Sequence, residues 1–281
     1  MQHLEVQLTP DDLDVFNNEV VYGCYELQDQ KRVGKIATLT NEIYNGSGIL
    51  DIEVNDNILY ASTSDGNFLS FRGKDNYDMS SLFLESGINL TLSVNNNLCC
   101  VSNNHGNVFL LDLASNIILD QFKAHSLEIW SCCWNSKGGF LTGADDCMLK
   151  LWDKNHLEKA QWSKRMEMGV SCISNADNNV LIGNYDEKLR LLDLRMPEKF
   201  VQELDCGGGI WRIKQNPVNP NIFLIAAMHG GAHVVNIQSN EILQSFSEHD
   251  SMVYGAAWLN ETQIATCSFY DKKLAFWTWI K

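Results

Sequence analysis

Basic residues are scarce. Only 21 lysines and arginines stand against 35 aspartates and glutamates in 281 residues, a formal charge of −14. Phosphate backbones and anionic membrane surfaces both ask for a basic face, so this balance argues against nucleic acid and against membrane binding. No apolar run is long enough to span a bilayer. The opening MQHLEVQLTPDD lacks a basic region followed by an apolar stretch, so no signal peptide is expected. There is no CxxC, HxH or HExxH, and no glycine loop that would cradle a phosphate, so neither metal nor cofactor is expected. Proline occurs four times, and no helical period or low-complexity segment is visible. Nine cysteines is an odd number. Cys99-Cys100 and Cys132-Cys133 fall inside expected strands, where neighbours point to opposite faces. Reduced, buried thiols in a cytoplasmic protein are the expectation.

What is present is a repeat. Residues 123–153, KAHSLEIWSCCWNSKGGFLTGADDCMLKLWD, read as a complete WD-type blade. Short alternating strands at 129–134, 140–143 and 148–152 are separated by turn formers. His125, Thr142, Asp146 and Trp152 stand where such repeats hold a hydrogen-bonded tetrad. From Asp146 a tight turn with a following strand recurs at Asp65, His105, Asp186, His229 and Asp271. The successive intervals are 40, 41, 40, 43 and 42 residues. One step back from Asp65 lands on Tyr25. The period is that of a four-stranded blade, and one blade cannot bury its own faces, so the repeats imply a ring. The expectation is one all-β domain over residues 1–281: a seven-bladed WD40-type β-propeller. Residues 3–8 would close it as the outer strand of the last blade. Blade one would carry a polar loop at 28–33. Blade four, the one blade with all four tetrad residues, would be the most firmly held.

In such a ring, two kinds of loop share one rim at the channel mouth. One kind brings Glu128, Met168, Gly207, Gly208, Gly209, His249 and Asp250. The other brings His105, Asp145, Tyr185, Glu187, His229 and Tyr270. Trp130, Trp211, Arg212 and Tyr254 begin innermost strands. Two readings of these residues stand side by side. His229 is a general base, since neutral imidazole works near physiological pH, or it caps its turn. Arg212 binds an anion, or it makes a structural salt bridge. The rim aromatics cage a cation, or they pack between blades. Cys267, four residues before Asp271 as Thr142 is before Asp146, reads as a buried strand residue rather than a nucleophile.

Six segments carry a resemblance. They are Lys123-Ala124-His125 with Glu128-Ile129-Trp130; Met168-Gly169-Val170; Gly183-Asn184-Tyr185-Asp186-Glu187; Gly208-Gly209-Ile210-Trp211-Arg212; Ala227-Met228-His229; and Val253-Tyr254-Gly255 with residues 266–271, TCSFYD. Over residues 123–279 the chain resembles the diphthine methylesterase family, WD-repeat enzymes of diphthamide biosynthesis. Asn184 departs from a usual Ser, and Ala257 from a usual Asp. The resemblance implies hydrolysis of the methyl ester of methylated diphthine on translation elongation factor 2, giving diphthine and methanol, by a monomeric protein. For that reaction the residue chemistry offers His229 as base and Arg212 as binder of the carboxylate or oxyanion. The substrate's trimethylammonium would then meet Trp130, Tyr185, Trp211, Tyr254 and Tyr270, with Glu128 and Glu187 beside them. The alternative of another class is a non-catalytic adaptor holding a protein partner on the same rim.

Overall fold

The computed structural model describes residues 2–74, 76–176 and 178–281. Among them the chain forms 28 strands in seven four-stranded antiparallel sheets. Neighbouring innermost strands contact one another round the ring, and the first, Pro10–Phe16, contacts the last, Val253–Trp258. The propeller is closed. Its velcro is the strand Gln2–Glu5, which pairs antiparallel with Lys273–Thr278 as the outer strand of blade seven. This strand is shorter than residues 3–8, because from Val6 onward the chain turns toward blade one. The Val6 amide is the last to bond back, to the Lys272 carbonyl at 2.8 Å.

Blade one corrects the reading of a polar loop at 28–33. The strands Glu19–Gln28 and Lys31–Thr38 pair continuously up to Gln28 opposite Lys31. Asp29 and Gln30 make the two-residue turn, both with positive φ, 47° and 65°. Polarity there marks a solvent-facing hairpin tip rather than an irregular loop.

The cores lie between blades, as sheet faces stacked on their neighbours. Phe16, Val21, Ile49, Ile52, Leu59 and Phe71 bury against each other between blades one and two. All nine cysteines are free thiols, and all but Cys147 are buried. Across the channel side, innermost strands are stitched through side chains one repeat apart. Asp12 Oδ2 accepts from the Ile52 amide (3.2 Å), Asp14 from Val54 (2.9 Å), Asp51 from Leu92 (2.8 Å) and Glu53 from Val94 (3.0 Å). Each bond satisfies an edge amide that no strand of its own blade can reach.

Blade four holds the tetrad. His125 Nδ1 meets Asp146 Oδ1 at 2.9 Å, His125 Nε2 meets Thr142 Oγ1 at 2.7 Å, and Trp152 Nε1 donates to Thr142 at 2.8 Å. It is not alone. Blade seven assembles a looser copy: His249 Nε2 to Thr266 Oγ1 at 2.9 Å, Trp277 Nε1 to Thr266 at 3.4 Å, and His249 Nδ1 to Asp271 at 3.7 Å. Thr266, not Cys267, therefore fills the Thr142 position. The turn after it is one residue longer, 271 − 266 = 5 against 146 − 142 = 4. Asp146→Ala should leave His125 Nδ1 and the Ser126 and Met148 amides without their partner, at about 1–3 kcal/mol for each buried group lost. The expected result is a clear fall in the urea midpoint, and a smaller one for Asp271→Ala. Equal midpoints for Asp146→Ala and the parent chain would refute the tetrad's role.

Candidate functional site: an aromatic cup at the channel mouth

At the mouth, innermost strands are irregular in one repeated way. Register skips one residue between Pro10 and Asp12, Ile49 and Asp51, Asn89 and Thr91, Ile129 and Ser131, Val170 and Cys172, and Val253 and Gly255. The skipped residues are Asp11, Leu50, Leu90, Trp130, Ser171 and Tyr254. In blade six, Trp211 stands just before its innermost strand, Arg212–Gln215. A β-bulge re-aims the side chain it carries. Five of the six bulge residues, with Trp211, line a single cavity of about 230 Å³; Ser171 is the exception. Arg212 forms its floor, and Tyr25, Phe269 and Tyr270 complete its wall.

The rings form a continuous wall. Trp211 lies 5.3 Å from Trp130, 4.9 Å from Tyr254 in a stacked pair, and 6.4 Å from Tyr185. Phe269 lies 5.3 Å from Tyr254, 5.0 Å from Tyr270 and 6.3 Å from Tyr25. The extra residue in the blade-seven turn is what puts Phe269 and Tyr270 out on the rim. Blade five contributes differently. Its bulge carries the small Ser171, whose hydroxyl turns back to the Gly183 and Ile210 carbonyls. Tyr185 stands beside that gap. Gly169 leaves it room: a Cβ there would lie 2.9 Å from Asp145 Oδ1 and 3.1 Å from the Tyr185 ring.

Arg212 is committed to structure. Nε donates to Asp12 Oδ1 at 3.0 Å, and the Nη2 group donates to Asp51 Oδ1 at 3.0 Å and the Leu50 carbonyl at 3.2 Å. Its charge is spent on two buried carboxylates, which corrects the expectation of a free anion binder. Glu128 and Asp145 lie close to Tyr185, whose phenol is pushed up by burial and then by Asp145. Glu187 is exposed in its turn with φ of 70°. His229 is exposed at the tip of the blade-six turn, on the same rim but outside the cavity lining. Ala257 is buried between blades seven and one with Leu13, Tyr22 and Ala265, so that departure concerns packing and not the mouth.

Asp11, Tyr25 and Phe269 were missed from sequence. The bulge position could have found Asp11, since 11, 50, 90, 130, 171, 211 and 254 are one repeat apart. The channel charges also had a signal. Asp12 and Asp14, Asp51 and Glu53, and Arg212 and Lys214 are each two apart, hence on one face of a strand.

Burial pushes several of these carboxyls up: Asp11 and Glu53 to about 8, Asp51 to about 7. Burial also pushes His125 and His249 down to about 4. The folded chain therefore holds carboxyl protons that the unfolded chain releases near pH 4, and their contribution is lost as pH rises through 7–8. The histidines act oppositely, but only between about pH 4 and 6.5. Above that window the carboxyls alone remain, so the urea midpoint should fall from pH 6.5 to pH 8. A flat or rising midpoint would mean that channel water keeps these groups ionised.

A closed seven-bladed ring with an aromatic cup at one mouth defines a propeller of the WD-repeat class. The family model for the WD domain, G-beta repeat matches residues 117–153. A chain of a mitotic checkpoint complex crystal structure has the same fold, with a TM-score of 0.84 over 100% of this chain and 91% of that one, at 15% identity. A diphthine methyltransferase homolog of Dictyostelium discoideum is 29% identical over 85% of this chain and 79% of its own length. The diphthine methyltransferase of Schizosaccharomyces pombe is 31% identical over 69% of this chain and 62% of its own. The human one is 33% identical over 49% and 33%. The chain thus spans less than two thirds of the fission-yeast relative and about a third of the human one. It is similar to these relatives over most of its length.

Proposed function

We propose that the chain acts in diphthamide biosynthesis and removes the methyl ester of methylated diphthine on elongation factor 2. Water attacks the ester carbon, the C–OCH3 bond breaks, and methanol and a carboxylate leave, with one proton released. The observation that carries this reading is the cup. Six rings line a cavity against Arg212, whose charge is already neutralised, and Tyr185 stands outside that lining 6.4 Å from Trp211, a setting suited to a quaternary ammonium group. With the cation in the cup, the ester stands at the rim, where His229 is the base we assign. The partner is the factor as a protein substrate, met in the cytoplasm. The relatives' name speaks of methyl transfer, and one experiment separates the two chemistries. Methyl-esterified elongation factor 2 is incubated with the protein, without any methyl donor, and followed by mass spectrometry. Loss of the ester methyl is the expected result. Retention, together with methyl gain on unesterified factor once a donor is added, would overturn it.

A further inference from the structure

We propose that Asp11 is the counter-charge of the cup: it is protonated when the cup is empty and gives up its proton when a quaternary ammonium cation enters. The inference rests on the cup being a cation site, but not on which reaction follows. Of the seven equivalent mouth positions, Asp11 is the one that carries a carboxyl. Its side chain lines the cavity while the residue is only 5% exposed. Neighbouring Asp12 accepts from Arg212 and from the Ile52 amide. Asp11 accepts no hydrogen bond among the described residues, so nothing in the empty cup stabilises its anion directly.

The surrounding charges point the same way. Arg212 faces Asp11 from blade six, but Asp12 and Asp51 hold its guanidinium. Those two carboxylates also face Asp11 and oppose its ionisation. Tyr254, Cys24 and Cys267, from the neighbouring strands, all feel its charge, and burial raises each of them, so they are neutral at working pH. Burial is the largest influence on Asp11 itself and lifts it to about 8. An arriving trimethylammonium group brings a permanent positive charge into the same poorly solvated space. Aromatic faces attract it by their quadrupoles, and an ionised Asp11 compensates it fully. The step balances: the cation enters, Asp11 O–H ionises, and the proton passes to buffer.

Choline and its neutral isostere 3,3-dimethylbutan-1-ol are the probes, titrated calorimetrically into the whole chain. At pH 7, choline binding should release close to one proton, read from the heats in two buffers of different ionisation enthalpy. Choline affinity should fall about tenfold per pH unit below 8, because only the ionised form binds it well. The alcohol should show neither effect. Asp11→Asn should remove the pH dependence and weaken choline while sparing the alcohol. Choline binding without proton release, or with a flat pH profile in the parent chain, would overturn the role of Asp11 and leave the cup a cation site. Failure of choline to outbind the alcohol at any pH would overturn the cation site and the role of Asp11 together. The proton count comes from the parent chain, so the test stands even where Asp11→Asn folds poorly.

Discussion

Arg212→Met should destabilise the chain by about 3–5 kcal/mol, a loss large enough to threaten folding. Arg212 comes from blade six, yet its partners Asp12 and Asp51 come from blades one and two, 200 and 161 residues away in sequence. It thus spans the channel and ties opposite sides of the ring. Without it, two buried carboxylates lose their cation, and only Lys214 remains near Asp12. Burial alone would raise Asp12, whereas Arg212 and then Lys214 hold it below the ordinary carboxylate range. That depressed value contributes stability above about pH 4, and the contribution disappears with the guanidinium. Arg212→Lys should restore little, since one ammonium cannot reproduce two separately aimed N–H groups. Arg212→Met combined with Asp12→Asn and Asp51→Asn should recover much of the loss, because removing a whole buried ion set costs far less than orphaning part of it. Urea midpoints decide the matter. A single Arg212→Met variant within about 1 kcal/mol of the parent would show that channel water already solvates these carboxylates.

The ring was legible because its signals are local. Turn, strand and spacing recur within each repeat, and the tight His125, Thr142, Asp146 and Trp152 network confirms the ruler on which the count rests. Where the ruler slipped, it slipped by one residue. The longer blade-seven turn moved Thr266 into the place assigned to Cys267, and spacing alone does not tell an inserted turn residue from a strand residue. Site residues on innermost strands were legible for the same reason: Trp130, Trp211 and Tyr254 sit at a repeat position, and they meet at the mouth. What stayed hidden was relational. Whether Arg212 is free or bound depends on Asp12 and Asp51, which only ring closure brings opposite to it. Asp11 was overlooked because its blade has a degraded repeat, although it stands one repeat before Leu50.

His229→Ala should lower kcat on methyl-esterified elongation factor 2 by roughly 10²–10⁴ and leave the fold intact, if His229 is the base that the proposed reaction needs. Its exposure at the tip of a turn is what makes the second half of that expectation firm: little packing is lost with the ring. Trp211→Ala should behave differently. The ring is shared by Trp130, Tyr185 and Tyr254, so its removal deletes one face of the cup and frees three others. A well-placed ring contributes ~0.5–2 kcal/mol to holding a cation, which should appear as a rise in KM of about 2–30-fold with kcat less affected. Trp211→Phe should recover part of it. The two variants therefore separate binding from chemistry. A full kcat in His229→Ala would remove that residue from the reaction and direct the search for the base to groups that line the cavity. A loss confined to KM in His229→Ala would instead make it one more contact on the rim, holding the protein substrate as its modified side chain enters the cup.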